Sequence, residues 1–300
     1  MNTNLEKSLE KLKSIKWKKL FRNIDLIKFN EIDKAYFDMF PFFPISNEIF
    51  EPKEMNKGHY YRVRPLDEIN DYRNFKEYSY PPKEFVSNQR ANIVGQPVFY
   101  SSIHPRTAVL EFVLNQRKYD QKRLLALSVW ELKSKRNMSI LKLVNESNSK
   151  NEIRSFAEHS SKSFKTFAEN KFGKHSNVII NLRNYFINSF CLKNNHVFSS
   201  YIAHKSLYDS KEKTDIIIYP SIAGDLSSIN VAFNSDFADE NLFLKRVYIV
   251  DSTKDNFVKS TVIGKVLTFE NNEFKNETII DNKILLNTLI ELDFGDSIKV

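Results

Sequence analysis

Three stretches carry residue types suited to chemistry on an anionic substrate. The first is Tyr60-Tyr61-Arg62-Val63-Arg64. The second runs from Arg90 to Glu111 and reads RANIVGQPVFYSSIHPRTAVLE. The third is Tyr219-Pro220-Ser221-Ile222, followed by Ser228-Ile229-Asn230-Val231-Ala232-Phe233. Arginine presents a planar fork of donors that matches phosphate oxygens better than a lysine ammonium does. Arg62 and Arg64 lie two residues apart, so a strand points them the same way. Glu111 sits in the apolar run 108–114, where a charge is costly unless it faces a pocket. Ser221 follows an apolar run and a proline, at a strand end. Each has a plainer reading: a surface ion pair for the arginines, an exposed helical glutamate, a turn serine.

Other chemistries are absent from the pattern. The histidines at 59, 104, 159, 175, 196 and 204 form no H-x-x-x-H or H-E-x-x-H pair, so no metal site is expected. The single cysteine, Cys191, excludes an internal disulfide and a cysteine-based zinc site. There is no G-x-S-x-G, which argues against a serine-hydrolase nucleophile at Ser221. There is no G-x-G-x-x-G and no P-loop, and six glycines leave little for a phosphate-cradling loop. Any nucleotide must be held by arginines and hydroxyls. The net charge of +8 is spread along the chain among 37 acidic residues, which suits attraction of a small anion better than a nucleic-acid stripe. No run of 18 apolar residues occurs, so no membrane span is expected. The N-terminus lacks the apolar core of a secretory signal, which makes the cytoplasm the expected location.

Elements must position these residues. Hydrophobic residues at 41% and aromatics at 13% suffice for a core. Leu5, Leu9, Leu12 and Ile15 predict an amphipathic helix over 3–23, with Thr3 and Glu6 at capping-box spacing. A second helix is expected within 29–40, and the PFFP at 41–44 closes this N-terminal arm. Strands are predicted at 60–64, 97–101, 123–131, 138–144, 216–219, 229–233 and 243–250. Pro105 opens a helix that carries Glu111. Residues 65–95 read as loop with short helical pieces, 150–190 and 199–209 as helix, and the tail from 259 as two or three more strands. Short strands interspersed with helices predict an α+β fold rather than a doubly wound sheet.

Taken in order, the three stretches resemble the RES domain, named for its Arg, Glu and Ser. That family has an early strand arginine, then R-x-N, a strand ending in Tyr, a helix with T-A-x-x-E, and later Y-P-S with an N-x-A-x strand. The resemblance covers about 60–250. It implies an ADP-ribosyltransferase-like core of short strands with flanking helices, and an enzyme that consumes NAD⁺ at the nicotinamide–ribose bond. The acceptor would be inorganic phosphate or water, with no permanently bound cofactor. It further implies a toxin, held by an Xre-like antitoxin, with no direct nucleic-acid target. Assembly into a homo-oligomer is left open.

By the same resemblance, Glu111 stabilises the oxocarbenium-like ribose, Arg62 is the family's early arginine, and Ser221 completes the catalytic set. Arg64, Arg90, Tyr61, Tyr100, Ser221 and Asn230 are further NAD⁺ contacts, and the choice between Arg62 and Arg64 for the pyrophosphate stays open. The chain departs from the pattern before Arg90, where Asn88 and Gln89 replace glycines, and after it, where Ala91 replaces an aromatic. It is also longer than a minimal RES domain. Residues 1–50 are expected to be a helical extension and 51–300 the catalytic domain, with an insertion at about 145–195. The alternatives are a mono-ADP-ribosyltransferase acting on a macromolecule, and a catalytically inactive nucleotide-binding module.

Overall fold

The computed structural model describes residues 2–20, 23–56, 58–115, 123–150, 153–192, 196–211, 213–223, 225–252, 261–280 and 283–294. The N-terminal arm is helical, but its first helix is broken. Helix α1 (Asn2–Ser14) stops before Ile15, and α2 (Trp17–Leu20) restarts the turn. Thr3 lies inside α1 and not before its first residue. Helix α3 (Leu26–Phe37) is capped by Asp25, whose carboxylate accepts the Lys28 amide at 3.0 Å. Leu12, Ile24, Tyr36 and Phe40 are fully buried, in one cluster with Phe186, Phe190 and Tyr201. The arm therefore packs on the chain's own core.

Ten strands among the described residues form one sheet. They are β1 (Glu48–Phe50), β2 (His59–Pro65), β3 (Val98–Ser102), β4 (Arg123–Leu132), β5 (Met138–Lys142), β6 (Ile216–Pro220), β7 (Ile229–Asn234), β8 (Leu242–Ser252), β9 (Thr261–Glu270) and β10 (Glu273–Ile279). Their spatial order is β1-β5-β6-β7-β3-β2-β4-β8-β9-β10. The β5–β6 pair is parallel and the other neighbours run antiparallel. The fold is thus α+β, with apolar–apolar runs such as Ile216-Ile217-Ile218 in strands buried on both faces.

The sheet is nearly cut in two. Strand β2 pairs with β4 from His59 to Pro65, and β3 pairs with β7 from Val98 to Ser102. Between β2 and β3, the described register holds the pair Tyr61–Ser102 and no other. One sheet face carries a continuous core that includes Tyr60, Phe99, Trp130 and Phe233. The opposite face carries two separate clusters. One lies on the β6-β7-β3 half under the N-terminal helices, α7 (Ser176–Phe190) and α8 (Val197–His204). The other lies on the β2-β4-β8 half under α5 (Pro105–Asn115) and α10 (Lys283–Phe294). The gap between these clusters meets the seam between β2 and β3.

One expectation needs correcting. The tail forms β9 and β10, but then α10 rather than a third strand. Leu289 and Phe294 of α10 pack against Tyr248 and Val250, and helical spacing serves that packing where alternation would not. Within 145–195, α6 (Arg154–Phe172) and α7 are helical as expected, and α7 is built into the core. Leu182, Phe186, Ile187 and Phe190 are completely buried. Its Arg183 is buried as well, donating to the carbonyls of Lys142 and Val144.

Candidate functional site

Strand β3 ends in Ser101-Ser102, and Pro105 starts α5 three residues later because its fixed φ and missing N–H suit a first turn. Helix α5 packs on β2 and β3. Ala108, Glu111 and Phe112 share the face that helical spacing turns toward the seam. Glu111 is half-buried there. Its Oε1 accepts the Ser221 hydroxyl at 2.6 Å and the Asn230 side-chain amide at 2.6 Å. Asn230 is oriented in turn by Ser102, whose hydroxyl donates to Asn230 Oδ1 at 2.6 Å. A strand end (Ser221), a strand start (Asn230) and the neighbouring strand (Ser102) thus hold one carboxylate.

A cavity of about 590 Å³ runs along the seam, within the size range of small-molecule sites. Arg62, Arg64, Arg90, Tyr61, Tyr100, Glu111 and Asn230 all line it. Ser221 does not. It is fully buried behind the carboxylate, so its hydroxyl positions Glu111 instead of meeting a ligand.

The arginines differ in their commitments. Arg62 shares the strand parity of Tyr60, on the opposite-face core, and its guanidinium lies over the Phe99 ring. Its Nε donates to the Ser79 carbonyl at 3.2 Å, and its Nη1 crosses the seam to the Tyr100 carbonyl at 3.1 Å. Burial, with the Arg64 charge adding to it, lowers its pKa to about 10, so it stays a cation at neutral pH. Arg64 is tied to Glu77, by an ion pair of 3.3 Å, and to the Glu68 carbonyl at 3.1 Å. Arg62 makes no carboxylate contact among the described residues and is the freer charge. Arg90 Nε is buried without a hydrogen-bond partner.

The tyrosine expectations are altered. The Tyr61 hydroxyl donates to the Asp293 carbonyl of α10, so only its body serves the cavity. Burial, then the Asp293 charge, raises its pKa. The Tyr100 hydroxyl donates to Asn92 Oδ1 at 2.8 Å and accepts the Ala91 amide at 2.8 Å. It holds the loop that presents Arg90. That loop also departs from the glycine expectation, since neither Asn88 nor Gln89 takes a positive φ. Asn88 instead donates to the Asn92 carbonyl at 2.8 Å and accepts the Ile24 amide at 3.3 Å.

Ser102, His196 and Tyr219 also belong to the site, though sequence reading did not select them. Ser102 was within reach, since it shares the strand parity of Tyr100. Tyr219 adjoins Ser221 in the quoted block. His196 carries no spacing signal, because folding alone brings α8 to the cavity wall. Neither the protein-family models nor the curated proteins searched match this chain.

Proposed function

We propose that this chain cleaves the nicotinamide–ribose bond of NAD⁺ on an ADP-ribosyltransferase-like core, and that it acts as a toxin restrained by a partner antitoxin. The observation that carries the reading is the Glu111 carboxylate, fixed by Ser221 and Asn230, in one cavity with Arg62, Arg64 and Arg90. A pyrophosphate needs donors of that kind, and a developing positive charge on ribose needs a preorganised anion beside it. Bond breaking sends the C–N electron pair to neutral nicotinamide. The oxocarbenium-like ribose left behind is stabilised by Glu111 until an acceptor oxygen attacks the same carbon. Asn230 and Ser221 keep the carboxylate from swinging away, and Arg62 supplies a guanidinium charge that meets no carboxylate among the described residues, with Nη2 left to donate beyond the two carbonyls it already holds.

The test is incubation of purified protein with NAD⁺, with and without inorganic phosphate, alongside Glu111→Gln and Arg62→Ala. Nicotinamide release by wild type and a loss of roughly 10²-fold or more in Glu111→Gln support the reading. ADP-ribose as second product means water is the acceptor, and ADP-ribose-1″-phosphate means phosphate. Label retained on a macromolecule points to a transferase. Intact NAD⁺ with folded, NAD⁺-binding protein leaves a binding module.

A further inference from the structure

An aspartate in the last turn of a helix opposes the helix dipole. Asp293 sits there, one residue before the end of α10, and its side chain is fully buried. Strand β8 is shaped to receive it. In the β4–β8 ladder Val129 faces Arg246 and Trp130 faces Leu244, so Lys245 is an extra residue on β8. The bulge switches strand parity: Leu244 belongs to the continuous core on one face, whereas Tyr248 and Val250 belong to the cluster under α10. Lys245 and Arg246 therefore turn to the same side, and both reach Asp293, at 3.2 and 2.7 Å. The Tyr248 hydroxyl donates to the same carboxylate.

The backbone of the same residue faces the cleft. The Asp293 carbonyl is one of the orphan acceptors of a helix end, and it accepts the Tyr61 hydroxyl and, at 3.2 Å, His59 Nδ1. Lys245 donates to His59 Nε2 at 3.1 Å, which leaves Nδ1 as the protonated nitrogen. Tyr61 is also the β2 member of the one described β2–β3 pair, with Ser102. Its ring shares a cluster with Phe294 and with Ala108 and Val109 of α5. Ser102 orients Asn230, which holds Glu111. We propose that Asp293 is a positioning residue for the cleft: by docking the end of α10 in the β8 bulge it fixes Tyr61, and Tyr61 sets the join of β2 to β3 on which the spacing of Arg62 and Glu111 depends. The role in catalysis rests on the NAD⁺ reading, whereas the mechanical link does not.

The experiment pairs amide deuterium uptake of the ligand-free full chain with steady-state NAD⁺ cleavage. Asp293→Asn and Tyr61→Phe are compared, singly and together. Arg246 and Lys245 keep 20% and 26% of their side-chain surface exposed, so both stay solvated when the carboxylate charge goes, and Asp293→Asn is expected to fold. Tyr61→Phe leaves the ion cluster whole, so the link stays testable if Asp293→Asn does not fold. Phe164→Leu, in the separate cluster of α6 and α7, lowers the thermal midpoint without touching the clamp. In both single variants uptake is expected to rise at 61–64 and 100–102, and kcat to fall by about 10-fold or more with KM changed less. The double variant is expected to be no slower than the slower single one, since both break the same link. Phe164→Leu is expected to keep wild-type uptake at those segments and wild-type kcat. Uptake that rises in α10 alone, or losses in kcat that multiply in the double variant, overturns the positioning role. If wild type releases no nicotinamide, the uptake arm decides the link by itself and only the NAD⁺ reading falls. If wild type cleaves NAD⁺ and the folded Asp293→Asn and Tyr61→Phe variants match it, the positioning role falls and the reading stands.

Discussion

At the scale of single residues, the carboxylate of Glu111 depends on a side chain it never touches. Ser102 fixes which end of the Asn230 amide faces Glu111, because its hydroxyl holds Oδ1 and leaves Nδ2 to donate. Ser102→Ala is expected to lower kcat for NAD⁺ cleavage by roughly 10-fold, with KM little changed, since one hydrogen bond's worth of orientation is lost. Steady-state kinetics check this, and an equal fall in thermal stability without a kcat effect would assign Ser102 a merely structural role. Asn230→Asp sets a second carboxylate against the first. Like charges at that distance raise one of the two ionisations, so the acid limb of the pH–rate profile is expected to move up. At this scale the sequence was informative about Glu111, Arg62, Arg64, Arg90 and Asn230, all of which reach one cavity. It was silent on how Tyr61, Tyr100 and Ser221 spend their hydroxyls. For Tyr61 and Ser221 those choices belong to partners far along the chain, Asp293 and Glu111, and for Tyr100 to Asn92 across the Arg90 loop, whose shape no local pattern encodes.

At the scale of elements, the site depends on where β2 and β3 stop pairing. Arg62 puts its side chain on the Tyr100 carbonyl, a group that a continuous ladder would have satisfied with backbone. Its other contact, the Ser79 carbonyl, anchors the 66–97 connection. A lysine has one point charge and cannot bridge both carbonyls in the same planar arrangement. Arg62→Lys is therefore expected to weaken NAD⁺ binding by about 10-fold and to lower the melting temperature by a few degrees, read by calorimetry and thermal melts. Apart from β1, three residues long and inside the stretch expected to be a helical arm, the strands and α5 were legible because proline, β-branched runs and apolar periodicity mark them locally. The tail helix α10 was not, since its apolar residues also satisfy an alternating reading over short windows. Contact of Leu289 and Phe294 with Tyr248 and Val250 decides the matter. The seam itself has no sequence mark at all, because register between strands distant in sequence is a tertiary property.

At the scale of the whole molecule, acid should unfold the protein from two directions. His204 is buried and His196 half-buried, and loss of solvent lowers both pKa values from 6.5 to about 4. Between those pH values the unfolded chain binds protons that the native state refuses. Stability is complete above about pH 6.5 and erodes toward pH 4, by at most about 1.4 kcal/mol per pH unit for each histidine. His204 lies edge-on to Phe29 and stacked with Tyr208, so His204→Phe is expected to keep the packing and flatten that slope, as read from urea melts across pH. Glu131 acts at lower pH. Hydrogen bonding from His59, then from Lys245 and Lys133, holds its carboxyl well below the usual range. Its contribution is present above the ordinary glutamate pKa and is lost as pH falls below about 4. The two edges of the sheet are also protected. Strand β1 is three residues long and β10 carries Glu273, Lys275 and Glu277, features that discourage edge-to-edge pairing. One opening remains inside the sheet. The β2–β3 seam separates Arg62 and Arg64 on one half from Ser221 and Asn230 on the other, with α5 and its Glu111 between. A ligand that grips both halves would work as a staple across it. Amide deuterium uptake at residues 62–64 and 100–102 should then slow on ligand addition, while uptake in β9 and β10 stays as it was.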